Sequence, residues 1–421
     1  MINAKSIIFY FPHHQVGGVS TLFLRISDAI SLIHTVYVAD YSDGFMARNL
    51  PEKVKLIRID KEDPFPSNSI FVFQSFLPWR LPFIEKIDDS SRLIFWNLHP
   101  NNFDPSVFNE NSEFLPWRLI SKGINSLAFY RKKKVKEIVQ DLIRNRALVF
   151  MDRENVRQTE EFIGCNLAIS DYLPVGSPRL AKRLGYEVKN DCIKLAWVGR
   201  FADFKYRSLE HLILRLNTMG DLNCRVILSI IGDGEFRGLL EAMIANLNLV
   251  NLEVIFLGEL TSKQLHKYLR ENIDITFAMG TSSLEAASIG IPVILVDYSF
   301  TKILEKYKFK LIYDKTDYCL GEKITFKSYE PRCTLSRLIK GILDNYDDES
   351  EKCYEYWEKN FSIEKISKKL LDQCNSTTAT FGAFNEKKYF TSDVFGYLLR
   401  SIGWVARGRN PKKIVGFRND C

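Results

Sequence analysis

Three stretches in the second half of the chain decide its fold: IKLAWVGRFADFK (193–205), RVILSIIGDGEF (225–236) and IDITFAMGTSSLEAASIGIPVILVD (273–297). Their apolar runs predict buried strands at 193–199, 225–231, 273–278 and 292–296, and a further run predicts one at 254–258. Segments with helical or turn character follow these runs. Strands that alternate with helices form parallel βαβ units, and open parallel sheets bind ligands at the carboxyl ends of their strands.

Charged side chains follow two of these predicted strands. Arg200 comes directly after the first strand and Lys205 lies five residues further on, whereas Glu285 follows the turn that begins at Gly280. Because the carboxyl ends of parallel strands share one edge, the two cations and the carboxylate are expected to gather there. The sequence therefore predicts a site for a phosphorylated ligand.

The pattern over residues 193–300 resembles the nucleotide-sugar glycosyltransferases of the group 1 type. Its most specific match is LEAASIGIPV (284–293). The resemblance implies the α/β fold called GT-B, in which two Rossmann-like domains face each other across a cleft and C-terminal helices cross back to the first domain. It also implies that Arg200 and Lys205 bind the donor diphosphate and serve in catalysis, and that Glu285 holds the ribose.

The activity implied by the resemblance is transfer of a hexosyl or other sugar from a nucleotide-sugar donor to a glycan or lipid-linked glycan acceptor. It further implies a role in surface polysaccharide synthesis, of O-antigen, lipopolysaccharide or capsule, and a retaining, metal-independent mechanism. One position departs from the family. A second Glu often stands eight residues before the ribose-binding Glu, and this chain has Phe277 there, which leaves sugar contacts and stereochemistry open.

Sugar transfer expels a nucleoside diphosphate, so negative charge on the leaving oxygens must be stabilised. The chain has no Asp-x-Asp motif for a metal, so fixed cations and a helix N-terminus are the expected alternative, with neither metal nor cofactor. The predicted donor contacts on that helix are Thr281, Ser282, Ser283 and Leu284. Solvated loop cations at Arg200 and Lys205, and simple dipole complementation by Glu285, are the alternative interpretations.

Further candidates lie in other loops. Gly17 and Gly18 link the first predicted strand to a helix predicted at 21–33, and are either a donor-facing loop or a tight turn. Gly234 belongs to a strand-to-helix turn predicted to line the donor pocket. His99 follows the strand predicted at 93–96 and is either a catalytic or hydroxyl-binding side chain or a structural one.

The length of the chain and the positions of its Pro and Gly residues predict two domains. The 421 residues are assigned as a first Rossmann-like domain over 1–175, a linker over 176–190, a donor-binding domain over 191–345, and C-terminal helices with a basic tail over 346–421. Strands of the first domain are predicted at 5–11, 35–40, 54–60, 70–74, 93–96 and 147–151. Residues 176–190 are assigned as a linker because they contain Pro and Gly residues, which interrupt helices and strands.

The eight cysteines form no C-x-x-C pair, which predicts free thiols in a reducing, cytoplasmic compartment. The first apolar run, over 6–11, is too short for a signal peptide, and no later run reaches the length of a membrane span.

Positive charge is localised in two segments. Residues 116–146 carry nine Lys or Arg against two acidic residues, and residues 387–421 carry eight against two. Apolar residues recur at helical spacing over 117–146 and 387–418, so each segment is either a basic amphipathic helix on the inner face of the cell membrane or an ordinary helix with a solvated basic face. Nothing resembles a nucleic-acid-binding module, so no nucleic acid partner is expected.

Two other functions remain open at this point. One is a GT-B protein that binds a partner or glycan without catalysis, an interpretation motivated by Phe277. The other is a GT-B nucleotide-sugar epimerase.

Overall fold

The computed structural model describes residues 6–108, 115–188, 192–219, 224–315, 317–329 and 334–406. Contacts divide the chain into two α/β units. The first comprises Met1–Val175 together with Ile366–Cys421, and the second is Gly176–Lys365. Residues 176–190, predicted as a linker, are part of the second unit, and the predicted C-terminal segment 346–421 is divided between the units at residue 366.

The first unit is built on a six-stranded parallel sheet in the order β3-β2-β1-β4-β5-β6. Because every strand runs in the same direction, all six carboxyl ends lie at one edge of the sheet. The strands are β1 (Ile7–Tyr10), β2 (Val36–Asp40), β3 (Lys55–Arg58), β4 (Ile70–Gln74), β5 (Arg92–Asn97) and β6 (Leu148–Phe150).

Up to residue 175 the described part of the first unit contains five α-helices: α1 (Gly18–Ser31), α2 (Phe45–Arg48), α3 (Leu115–Leu127), α4 (Phe129–Arg144) and α5 (Arg153–Ile163). The helix predicted at 21–33 begins earlier, at Gly18, because extended Gly17 serves as its N-cap and donates its amide to Ser20 Oγ at 3.1 Å. The basic segment predicted at 117–146 forms two helices, which meet at Ala128.

The second unit has a six-stranded sheet in the order β12-β11-β10-β7-β8-β9. Its strands are β7 (Cys192–Val198), β8 (Arg225–Ile231), β9 (Leu252–Gly258), β10 (Ile275–Ala278), β11 (Val293–Leu295) and β12 (Lys310–Leu311). All pair in parallel except β12, a two-residue edge strand that pairs antiparallel with β11 and was not predicted. The helices are α6 (Asp203–Asn217), α7 (Arg237–Ala245), α8 (Ser262–Asn272), α9 (Thr281–Ile289), α10 (Leu335–Asp344) and α11 (Tyr346–Phe361).

The C-terminal helices return to the first unit, as predicted. They are α12 (Ile363–Ser376), α13 (Phe381–Glu386) and α14 (Val394–Ala406). The Leu93 amide donates to the Ala379 carbonyl at 2.9 Å, and the Phe381 amide donates to the Ser91 carbonyl at 2.8 Å. Phe381 and Phe384 are buried in the core of the first sheet, so the end of the described chain completes that core.

Candidate functional site

The loops after β7 and β8 pack tightly against each other at the carboxyl edge of the second sheet. The Gly199 amide donates to the Ile231 carbonyl, and the Phe201 amide donates to the Asp233 carbonyl, both at 3.0 Å. Gly232 has φ of +130°, and a Cβ at that position would lie 2.3 Å from the Gly199 carbonyl oxygen. Glycine is therefore required at 232, and the two loops form one rigid rim.

Lys205, on α6, reaches over this rim. Its Nζ lies 3.3 Å from the point that a Cβ on Gly199 would occupy, and Trp197 Nε1 lies 3.8 Å from the same point. Burial, together with the positive charge of Arg200, lowers the pKa of Lys205 to about 8. The Trp197 indole nitrogen is buried and has no hydrogen-bond partner among the described residues. The desolvated Lys205 ammonium and the Trp197 N–H thus both lie next to the space that exists because Gly199 has no side chain.

Arg200 adds a second cation at this rim and is exposed. Neither Arg200 nor Lys205 pairs with a carboxylate of the described residues. Lys205 is half-buried, and a partly desolvated cation without a carboxylate partner is unfavourable in the free protein and favours binding of an anion.

The N-terminus of α9 supplies further donors. Gly280 is its N-cap at φ of +64°, and the Gly280 amide donates to the Leu320 carbonyl at 2.7 Å. The amides of Thr281 and Ser282 have no acceptor among the described residues, so they are available to a ligand. The Ser283 hydroxyl donates back to the Gly280 carbonyl at 2.6 Å. The Leu284 side chain is fully buried, so only its backbone could contact a donor.

Glu285 follows on the same helix and lies beside His266 of α8. His266 Nε2 lies 3.4 Å from Glu285 Oε2, and the side chains are only 16% and 14% exposed. Sequence reasoning gave His266 no role, because the two residues are far apart in the chain and no motif links them. Only the packing of α8 against α9 brings them together.

Gly234 has a structural reason to be glycine. Its φ is +156°, and a Cβ there would lie 2.8 Å from the Phe201 carbonyl oxygen. The preceding carboxylate, of Asp233, accepts the Gly234 amide at 2.7 Å and pairs with Arg237 at 3.1 Å. Close approach of two loops explains the glycine, and its contact with a donor remains a prediction.

Phe277 lies inside β10, where it is fully buried and packs edge-on against Phe309 with ring centroids 6.1 Å apart. Only Met279 and Gly280 connect β10 to α9. A side chain eight residues before Glu285 therefore points into the core. The position that departs from the family is therefore a buried apolar side chain of the second unit, and the non-catalytic interpretation stays a prediction.

The candidates of the first unit lie at the carboxyl edge of its own sheet. His99 follows β5, and its Nδ1 accepts the Asn101 amide at 3.1 Å. Burial lowers the pKa of His99, so the imidazole is neutral at pH 7 and carries its hydrogen on Nε2. Gly17 and Gly18 have no positive φ, and a Cβ on Gly18 would meet open space. Their backbone conformation does not require glycine.

Two further properties concern the described residues alone. They contain no group of three or more His, Cys, Asp or Glu placed to hold a metal ion. None of the helices in the described ranges is both long enough and apolar enough to span a bilayer.

No protein-family model matches this chain, and no curated protein matches it in sequence. Solved glycosyltransferase structures match most of it. HepE of Anabaena in complex with UDP and glucose is 13% identical over 89% of this chain and 100% of its own, with a TM-score of 0.54. A glycosyltransferase from Rickettsia africae ESF-5 is 14% identical over 88% and 98%, with a TM-score of 0.55.

The chain has the GT-B fold. The lipopolysaccharide outer core galactosyltransferase WaaB also matches, at 12% identity over 87% of this chain and 98% of its own, with a TM-score of 0.51. The two Rossmann-like domains predicted from the sequence are confirmed. At such low identities the likeness establishes the GT-B fold alone, and the chemistry must be argued from the site.

Proposed function

We propose that this GT-B protein is a glycosyltransferase that moves a sugar from a nucleotide-sugar donor to a glycan or lipid-linked glycan acceptor. The observation that supports the donor most directly is the Lys205 ammonium, which is desolvated beside Arg200 and has no carboxylate partner among the described residues. The donor diphosphate is the ligand whose charge complements this pair.

In the proposed reaction the bond between the anomeric carbon and the diphosphate oxygen breaks and the acceptor hydroxyl oxygen bonds to the anomeric carbon. The acceptor proton passes to the departing diphosphate. Arg200 and Lys205 stabilise the negative charge that grows on the diphosphate. The free amides of Thr281 and Ser282 donate to the same oxygens. This arrangement stabilises the leaving group without a metal, which is the mechanism predicted from the sequence.

Glu285 accepts hydrogen bonds from the two ribose hydroxyls, as the family resemblance implies. The His266 ring lies beside this carboxylate, with Nε2 3.4 Å from Oε2, and pairs with it when protonated. In the first unit, neutral His99 donates from Nε2 to a sugar hydroxyl or to the acceptor. Contacts of Gly17, Gly18 and Gly234 with the donor stay predictions.

For the pathway we propose surface polysaccharide synthesis with retention of configuration, on the inner face of the cell membrane. The match to WaaB, a lipopolysaccharide outer core galactosyltransferase, supports this choice as an analogy between folds.

The test is a thermal-shift panel of UDP, GDP, ADP, dTDP and CMP and their sugars, without added metal. A ligand at a hundredfold its dissociation constant should stabilise the folded state by about 2.7 kcal/mol. Glu285→Ala should abolish the response to the preferred nucleotide, whereas Glu355→Ala, on the exposed surface of α11, should preserve it. Unchanged nucleotide affinity in Glu285→Ala would refute the ribose assignment. Product analysis with the preferred donor then separates transfer from epimerisation.

A further inference from the structure

Asp393 joins the C-terminal helix α14 to the start of α4. One carboxylate oxygen accepts the Gly396 amide at 3.0 Å and so caps α14, and the other pairs with Arg131 Nε at 2.9 Å. The Arg131 and Asp393 side chains are 4% and 12% exposed, and the Tyr130 hydroxyl also contacts Asp393. A buried ion pair of this kind fixes the relative position of the two helices.

Around this junction the described parts of the two basic segments, residues 117–146 and 387–406, form one surface, whereas residues 407–418 of the second predicted segment lie outside the described residues. Leu399 of α14 packs with Phe108 and Ala128, and the Phe395 ring lies 6.0 Å from that of Tyr130. The two segments, far apart in sequence, are therefore neighbours within the first unit.

Six apolar side chains on this surface are exposed, at 50% to 76% of their area. On α14, positions 394, 395, 397 and 398 face outward, while Gly396 and Leu399 are buried. The helix thus turns an apolar face to solvent, which is unusual in a folded protein and marks an interaction site. We call the six the apolar surface: Leu127, Phe129, Val394, Phe395, Tyr397 and Leu398.

Exposed lysines stand close to the residues of the apolar surface along the chain. Lys132 and Lys133 stand three and four residues after Phe129 and share its side of α4. Lys122 of α3 and Lys388, just before α14, are also exposed. Lysine is depleted at protein–protein interfaces, whereas lysines beside aromatic and aliphatic residues suit the headgroup region of an anionic bilayer.

We propose that the apolar surface and its lysines dock this protein on anionic membrane lipid. The phenylalanines and leucines enter the boundary between headgroups and acyl chains, and the lysines contact lipid phosphates. Docking deepens the proposed function, since it places the first unit at a membrane that carries a lipid-linked acceptor. It does not depend on nucleotide binding, so the two proposals can fail separately.

The experiment is co-sedimentation of the full chain with phosphatidylcholine vesicles, with and without about one third phosphatidylglycerol, over a range of salt concentrations. We expect binding to the anionic vesicles only, weakening as salt rises. Each lysine near the surface contributes about fivefold in affinity, so Lys132→Gln with Lys133→Gln should lose about 30-fold. Phe395→Ser with Leu398→Ser should lose binding at all salt concentrations.

Two control variants carry matched changes elsewhere. Lys365→Gln with Lys368→Gln removes two exposed lysines of α12, and Phe326→Ser removes an exposed aromatic of the second unit. Both should sediment as the wild type does, and every variant should keep the nucleotide thermal shift. The proposal is overturned if wild-type protein stays in the supernatant with anionic vesicles, which would leave the surface to a protein partner. It is also overturned if the Lys132 and Lys133 variant binds like the controls.

Discussion

Replacement of Lys205 by Met should make the unliganded protein more stable. The pKa of Lys205 falls from 10.5 to about 8 in the folded state, chiefly because burial disfavours the charged form. Each pKa unit corresponds to about 1.4 kcal/mol, so the charged Lys205 side chain destabilises the folded state by about 3 kcal/mol at pH 7. Met fills a similar volume without charge, and we expect Lys205→Met to raise the free energy of unfolding by roughly 1–3 kcal/mol.

The assay is thermal and urea unfolding of both proteins, with and without the preferred nucleoside diphosphate. Without ligand the variant should unfold at the higher temperature. With ligand the order should reverse, because the wild type gains binding energy that the variant has lost. A control variant, Lys359→Met, changes an exposed lysine of α11 and should alter neither measurement.

The pH dependence provides an independent check. Between pH 8 and 10.5 the unfolded chain binds the Lys205 proton more tightly than the folded protein does, so wild-type stability rises with pH in that window. The difference in free energy of unfolding between Lys205→Met and the wild type should therefore decrease as the pH approaches 10.5. A variant less stable than the wild type at pH 7, with no change in nucleotide response, would refute the anion-site argument and make Lys205 a structural residue.

The remaining predictions concern the same unit. Affinity for a nucleoside diphosphate should fall above about pH 8 as Lys205 loses its proton, and calorimetry in two buffers should show proton uptake on binding near that pH, absent in Lys205→Met. His266→Phe should weaken the preferred nucleoside diphosphate by about 2–10-fold but leave inorganic pyrophosphate unaffected, since His266 acts on the ribose through Glu285; equal losses for both ligands would contradict this role. Gly232→Ala should cost about 1–3 kcal/mol in urea unfolding because of its positive φ and the Gly199 carbonyl. Gly238→Ala, in α7 with open space around it, should instead stabilise by about 0.5–1 kcal/mol.

The sheets could be predicted because buried parallel strands are continuous apolar runs that end at turn residues. The strands at Ile70–Gln74 and Arg225–Ile231 have the predicted bounds. The edge strand β12 has no such signal, since two residues carry no periodicity and its pairing depends on the position of β11. The break at Ala128 was also missed, because the apolar spacing continues on both sides of it.

The site was predictable only in part, for a similar physical reason. Arg200, Lys205 and Glu285 stand directly at strand ends, where parallel topology alone predicts proximity. His266 and Trp197 carry no such signal. The position of His266 beside Glu285 depends on how α8 and α9 pack. The role of Trp197 depends on its buried N–H having no acceptor among the described residues.

The return of the C-terminal helices to the first sheet has a consequence for synthesis on the ribosome. The core of the first unit includes Ala379, Phe381, Phe384 and Tyr389, which are translated only after the whole of Gly176–Lys365. The second unit is continuous in sequence and can fold as soon as it emerges, whereas the earlier-made sheet must wait roughly 10–40 s for its last core residues at ordinary rates of translation. The half of the protein that is made first is thus expected to be finished last, and its exposed strands are the part most in need of a chaperone.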